Sequence, residues 1–384
     1  MNATLRDDTL VLHFEGEINS ANANAVDQEA AKAIGNKKFA RLILDFDKVP
    51  YISSAGLRIV LSLKKKYGSV EIEGVVLEVY DVLQMTGFTE IMPVRRRINE
   101  VDLSHAELIG QGFFSLVYRL DKDTIVKLFR QAVEVSEVER ELNLAKQAFV
   151  LGIPTAISFD VVRSGDKLGV RFEMLDCASL RDIFRDHPEK YGEMVRKYAE
   201  LVKIINTTES FDPEIPDAKA FWVKKLDKVK PFIDETRFDK LRRLFESVPE
   251  RDSFVHGDCH VKNVMVQDGN LMLIDMDTLS KGHPIFELAG MYATYVAFEE
   301  DHPGNSEEFL GLKKELIHKI FKDVLDIYFG GIGEETYRKI ALVSYAHMVW
   351  WTVSNTPDDL ERRDNSAKRL CAMLDVVDDL DIGK

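Results

Sequence analysis

The residues best suited to chemistry lie in one short stretch, "VHGDCHVKNVM" from Val255 to Met265, and in the acids of "LMLIDMDTL" just downstream. His256, Asp258, His260, Lys262 and Asn263 stand there among apolar neighbours, and Asp275 closes the run "LMLID". A positioned aspartate can orient or deprotonate an attacking hydroxyl. An amide oxygen from Asn263 and a carboxylate from Asp275 are hard oxygen donors of the kind magnesium takes. Taken singly, His256 reads equally well as a satisfied core histidine and Asp258 as a turn cap. His260 fits a structural place in the loop, and Lys262 a solvated one.

The elements upstream give these residues a context. In "LIGQGFFSLVYRLDKDTIVKLF" two β-prone runs flank Gly110 and Gly112. Glycines there let a turn approach a ligand and expose backbone N–H groups to phosphate oxygens, with Ser115 at the edge of the same turn. A tight hairpin is the plainer reading. Lys127 sits inside the strand "TIVKLF", and "EVSEVERELNLAKQAFVLGIP" is a helical pattern carrying Glu141 as its expected partner, with Glu137 and Glu139 as competitors. "FEMLDCASLRDIF" reads as a strand through Glu173 and Leu175 into a helix.

A glycine turn, strand lysine and helix glutamate followed by this loop resemble the protein-kinase arrangement. "HGDCHVKN" resembles the His-Gly-Asp-x-x-x-x-Asn loop of the aminoglycoside phosphotransferase and choline kinase group. "GHPIFELAG" is similar to the Pro-x-x-Asp-Leu-Ala segment that follows there, with Glu287 in place of the aspartate. The resemblance spans residues 105–384. It implies ATP and Mg2+ as cofactors, Asp258 as catalytic base and Asn263 and Asp275 as metal ligands. Gly110, Gly112, Ser115, Lys127, Glu141, Glu173 and Leu175 are then nucleotide-binding, the last two at the hinge that reads adenine.

The first hundred residues have another character. "TLVLHFEG" alternates as a half-buried strand, "ANAVDQEAAKAI" has helical spacing, and "ARLILDFDKV" leads into "YISSAGLRIVLSLKKKYG", where Ser53 and Ser54 are helix N-cap candidates. A further helix ends near Gly87. Ser53, Ser54, Ala55, Gly56 and Leu57, with "LHFEGEIN" and "VLQMTGF", resemble the STAS family of anti-sigma-factor antagonists. Ser53 stands where an aspartate is frequent, and Ala55 removes a second hydroxyl. The resemblance implies Ser54 as phosphoacceptor, a partner kinase, and a regulatory protein that binds according to the phosphate.

The expected fold is therefore an α/β STAS-like domain over residues 1–95, followed by an α+β bilobal protein-kinase-like domain over 105–384. The polar stretch 96–104 is the expected linker. Within the second domain the nucleotide lobe runs to about residue 176 and a helical acceptor lobe from 177 to 384.

Composition narrows the function classes. A length of 384 residues supports two or three domains, 45% hydrophobic and 30% charged residues describe a globular chain, and no apolar run approaches a bilayer span. The start "MNATLRDDTLVLHF" lacks a secretory pattern, so a cytoplasmic place is expected. Cys177, Cys259 and Cys371 are too scattered for a disulfide framework or a zinc site. A net charge of −14 argues against nucleic-acid partners.

The two resemblances imply an ATP- and magnesium-dependent phosphotransferase acting on a hydroxyl of a small molecule or protein, with a STAS regulatory module. The alternative is a STAS-based regulatory binding protein whose kinase-like unit senses nucleotide or phosphorylates a STAS serine. Glu299, Glu300 and Asp301, with Trp350 and Trp351, could grip a cationic acceptor. Surface charge and helix core is the stronger reading of those five.

Overall fold

A computed structural model of the chain describes residues 1–112, 114–175 and 177–383. It divides into two compact units, Met1–Val101 and Asp102–Lys384.

The first unit runs β1 (Asn2–Arg6), β2 (Thr9–Glu15), α1 (Ala23–Ile34), β3 (Arg41–Lys48), α2 (Ser54–Tyr67), β4 (Val70–Val75), α3 (Leu77–Met85), α4 (Phe88–Ile91), β5 (Val94–Arg96) and β6 (Asn99–Glu100). Strands β1 to β5 lie side by side in chain order, antiparallel between β1 and β2 and parallel elsewhere. Period-two alternation puts Leu10, Leu12 and Phe14 of β2 and Leu42, Leu44 and Phe46 of β3 into one core, which α1 and α2 close with Ala30, Ile34, Val60 and Leu63. The intervening residues carry ion pairs, Arg41 to Glu71 at 2.6 Å among them.

Two expectations need correction here. The expected linker 96–104 is strand in part: Arg96 ends β5, which pairs with β4 because an open parallel edge accepts even a short basic strand, and Asn99–Glu100 is β6. Ser53 occupies the N-cap of α2 with extended backbone, but its hydroxyl makes no capping bond and is buried with no partner among the described residues. Ser54 is the exposed first residue of the helix. Gly56 is required by packing, since a Cβ there would stand 2.7 Å from Ile52 Cγ1 and 2.8 Å from Ile18 Cγ2.

The second unit opens with β7 (Glu107–Gln111), β8 (Ser115–Arg119), β9 (Thr124–Phe129), α5 (Val135–Val150), β10 (Ser158–Ser164) and β11 (Lys167–Glu173). These strands form an antiparallel sheet in the order β10-β11-β9-β8-β7. The rest is mainly helical: β12 (Ala178–Ser179), α6 (Leu180–Asp186), α7 (Tyr191–Thr207), α8 (Ala218–Lys225) and α9 (Glu235–Ser247) lead to four short strands. Those are β13 (Phe254–Val255), β14 (Val264–Gln267), β15 (Asn270–Leu273) and β16 (Ser280–Lys281). Then come α10 (Pro284–Tyr292), a π-helical turn (Ala293–Ala297), α11 (Phe298–Asp301), α12 (Asn305–Leu310), α13 (Lys314–Phe329), α14 (Glu334–Asn355) and α15 (Leu360–Leu374). Asp217, Asp234 and Asp359 cap α8, α9 and α15 through side-chain oxygens, and Ser179 caps α6. One continuous apolar core joins α5 to these helices.

Candidate active site

Lys127 lies on the central strand β9, between Val117 of β8 and Val170 of β11, and is buried. A buried ammonium needs a carboxylate. On α5 the apolar face passes through Val138, Leu142 and Ala145, and Glu141 shares that buried face, whereas Glu137 is exposed and Glu139 half-buried. Lys127 Nζ donates to Glu141 Oε1 at 2.8 Å and to Asp275 Oδ1 at 2.7 Å, with Asp277 Oδ2 at 3.5 Å. Burial alone would lower its pKa, but Asp275, Asp277 and Glu141 outweigh that and hold the ammonium charged. Burial pushes the Glu141 carboxyl up, against the pull of Lys127.

The loop after β13 is fixed by its own backbone. Gly257 has φ +84°, and a Cβ there would press on Thr278, whose hydroxyl donates to the His256 carbonyl at 2.7 Å. The fully buried His256 accepts at Nδ1 from the Asp258 N–H (3.2 Å) and donates from Nε2 to the Ile274 carbonyl (3.3 Å). That bonding requires a neutral ring, and burial lowers its pKa to about 4. Asn263 Nδ2 donates to both the backbone carbonyl and Oδ2 of Asp258, each at 3.0 Å.

The β14–β15 hairpin sets the remaining carboxylate. Val264 pairs with Leu273, and the Ile274 N–H donates to the Asn263 carbonyl at 2.9 Å, so Asn263 and Asp275 leave the ladder from neighbouring positions. Asp275 has φ +69°, a left-handed conformation that costs a non-glycine residue on the order of 1 kcal/mol and recurs at functional sites.

Burial and the Asp275 charge push the Asp258 carboxyl upward, and Asn263 partly offsets this. Burial also raises Asp275, but Lys127 outweighs it and the net shift is downward, while Asp277 is pushed up by burial and by Asp275. The side chains of Asp258, Asp275 and Asp277 are still 42%, 34% and 39% exposed, so solvent screens these pushes. His260 Nε2 is 3.5 Å from Asp258 Oδ1, and its ring meets Phe309 edge-on at 5.4 Å. Lys262 Nζ donates to the Phe309 carbonyl at 3.2 Å.

The other expected residues are less tightly drawn together. The Gly112 N–H donates to the Ser115 carbonyl at 2.9 Å, which closes the β7–β8 turn as a hairpin, and Gly110 lies against Val117. Glu173 spends a carboxylate oxygen on the Ile157 N–H at 3.2 Å, and the Leu175 carbonyl accepts from the Cys177 thiol at 3.4 Å. The acids considered for a cationic acceptor are engaged internally. Glu299 accepts from the N–H groups of Gly304 and Ser306, Glu300 from Tyr345, and Asp301 from Ser366 and Arg369. Trp350 is buried beside Trp222, and Trp351 packs edge-on against Phe298.

One residue at the site, Asp277, escaped the sequence reading, and another, Glu287, was named there without a role. Asp277 is the third carboxylate around Lys127, and its backbone carbonyl accepts from Arg140 at 3.0 Å. The acid-x-acid spacing of "DMD" was the available signal. Glu287, fully buried at the start of α10, accepts from the backbone N–H groups of His256 and Gly257 and so carries the loop from below.

The phosphotransferase enzyme family model, APH, matches residues 105–309, more than half of the chain. The chain belongs to this family. Ahead of the phosphotransferase unit, the STAS domain model matches residues 1–101. The STAS part is 39% identical over 92 residues to BtrV, a Bordetella bronchiseptica protein described as an anti-sigma factor antagonist, covering 23% of this chain and 78% of that protein. Among solved structures, a choline/ethanolamine kinase family protein from Mesorhizobium loti aligns at 13% identity over 71% of this chain and 88% of the other, TM-score 0.47. Aminoglycoside phosphotransferase APH(2'')-Ib in its ADP-bound form aligns at 14% identity over 79% and 98%, TM-score 0.48. A STAS domain thus precedes the phosphotransferase-family domain in this chain, and no helix among the described residues is long and apolar enough to cross a membrane.

Proposed function

We propose that the chain transfers the γ-phosphoryl group of ATP to an alcohol hydroxyl, with Asp258 orienting the hydroxyl and taking its proton. The observation that carries this reading is the contact chain Glu141–Lys127–Asp275, next to the Asp258–Asn263 pair. Its members come from a strand, a helix and two loops, and no folding requirement of one element explains their convergence. The upward push on the Asp258 carboxyl suits a proton acceptor. Lys127, kept charged by its carboxylates, is suited to phosphate oxygens, and Glu141 holds it there.

The donor set fits magnesium. Asn263 commits its amide nitrogen to Asp258, which leaves Oδ1 for an ion, and Asp275 supplies a carboxylate. Among the described residues no group of three or more His, Cys, Asp and Glu side chains could hold a metal, and magnesium with phosphate ligands needs only one or two protein oxygens. Asn263 and Asp275 would hold the ion, and magnesium would supply neutralisation of phosphate charge there.

Ser54 is the favoured protein acceptor. Of the two serines at the start of α2, Ser54 is exposed while the Ser53 hydroxyl is buried. Phosphate at that helix N-terminus would meet free N–H groups and change the surface a STAS-binding regulatory protein reads. The relative described as an anti-sigma factor antagonist supports such a role.

The test is magnesium-ATP incubation with aminoglycosides, choline-like alcohols, or a mixture of an Asp258→Asn chain and an active Ser54→Ala chain, with phosphate mapped by mass spectrometry. Label on Ser54 of the inactive chain establishes transfer between chains. Phosphorylation of a small alcohol with no label on a STAS serine leaves the STAS domain a docking or regulatory module. Absence of magnesium-dependent ADP release with every acceptor contradicts the phosphotransfer reading.

A further inference from the structure

We infer that Tyr198 and Tyr295 form a two-hydroxyl clamp that positions the Asp258–Asn263 loop from inside the helical lobe. The inference rests on the reading of Asp258 and Asn263 given above.

Both side chains are fully buried, and they come from different elements, Tyr198 from α7 and Tyr295 from the π-helical turn. Their hydroxyls are 2.9 Å apart. Tyr198 Oη donates to the Cys259 carbonyl at 2.8 Å, and Tyr295 Oη accepts from the Val261 N–H at 3.0 Å. Each phenol has one hydrogen, and burial raises both pKa values well above the ordinary tyrosine value, so both stay protonated. Tyr198 spends its hydrogen on a carbonyl, which can only accept. Tyr295 must therefore donate to Tyr198. The bonds run one way, from Val261 N–H through Tyr295 and Tyr198 to Cys259 C=O, and they begin and end on the loop, either side of His260.

That bracket bears directly on the functional pair. The His260 N–H donates to the Asp258 carbonyl at 3.1 Å and the Asn263 N–H to the His260 carbonyl at 2.8 Å, so the peptides the tyrosines hold also set the spacing of Asp258 and Asn263. The Tyr295 ring is itself fixed, stacked on Phe321 of α13 with centroids 5.8 Å apart. A π turn inserts one extra residue into a helix and redirects the side chains it carries, and such turns recur at functional sites. Here the redirected side chain reaches the loop. Tyr198 and Tyr295 are positioning residues, since neither is argued to touch substrate.

The experiment compares the full-length wild type with Tyr295→Phe and Tyr198→Phe, each of which removes one oxygen and keeps the ring. Hydrogen exchange is followed by mass spectrometry in peptides covering residues 257–263, α7 and α13, alongside kcat and KM for magnesium-ATP. The clamp predicts at least tenfold faster exchange in the loop peptide with wild-type rates in α7 and α13. It also predicts kcat lowered at least tenfold with KM within threefold. Equal acceleration of all three peptides, or a loop peptide unchanged in both variants, overturns it. If the wild type shows no magnesium-ATP turnover, the Asp258 reading fails, and the exchange pattern alone still decides for or against the clamp.

Discussion

Lys127 and Glu141 form a buried ion pair at 2.8 Å, and Glu141 has no other partner among the described residues for its second oxygen. Lys127→Met therefore strands a carboxylate in the core, which costs about 3–5 kcal/mol. Replacing Glu141 by Met in the same chain removes the stranded charge, so the double variant is more stable than Lys127→Met alone. A double-mutant cycle in urea measures the coupling, and additive losses contradict the pairing.

Gly169 stands beside the same lysine. A Cβ there would collide with the Lys127 carbonyl oxygen and lie 3.0 Å from Leu128 Cα, both on the neighbouring strand. Gly169→Ala must displace β9, at about 1–3 kcal/mol of stability. Because β9 carries Lys127, ATP affinity is expected to fall by about tenfold, equivalent to about 1.4 kcal/mol. Calorimetric titration with ATP checks this, and unaltered affinity in a destabilised variant separates the strand's position from nucleotide binding.

Glu287 gives a pH signature. Burial pushes its carboxyl from 4.5 up to about 7, against the pull of the His256 and Gly257 N–H groups. A folded pKa raised above the unfolded one means the stabilising contribution is full below about pH 4.5 and is lost as pH rises to about 7. The loss amounts to about 3 kcal/mol at 1.36 kcal/mol per unit. Glu287→Gln keeps an acceptor and cannot titrate. The difference in unfolding free energy between wild type and variant is expected to shift by that amount, in the variant's favour, between pH 4.5 and 7. Parallel curves contradict the assignment.

Where local pattern determines structure, the sequence was readable. The alternation of "TLVLHFE" makes β2, the apolar flanks of Lys127 make β9, and Asp258 and Asn263 meet because the loop between them is short and self-bonded. What depends on remote packing was not readable. Val94–Arg96 becomes a strand because β4 offers an edge, and the Ser53 hydroxyl lacks its cap bond although its type and position suit one. Glu141 could have been separated from Glu137 and Glu139, since it alone follows Val138 by one helical turn on the face that continues to Leu142 and Ala145. Tyr198 and Tyr295 look like ordinary core aromatics until their hydroxyls are traced to the loop.

The account turns on Asp258 acting on the acceptor, and its most direct test is magnesium-dependent phosphoryl transfer by Asp258→Asn beside wild type, with ATP affinity measured on both. Loss of a positioned general base commonly lowers the rate by about 10²–10⁴-fold. The expected result is a loss of that size with ATP affinity within about threefold, since Asp258 contacts Asn263 and not Lys127 or Glu141. Transfer at the wild-type rate by Asp258→Asn would contradict the account.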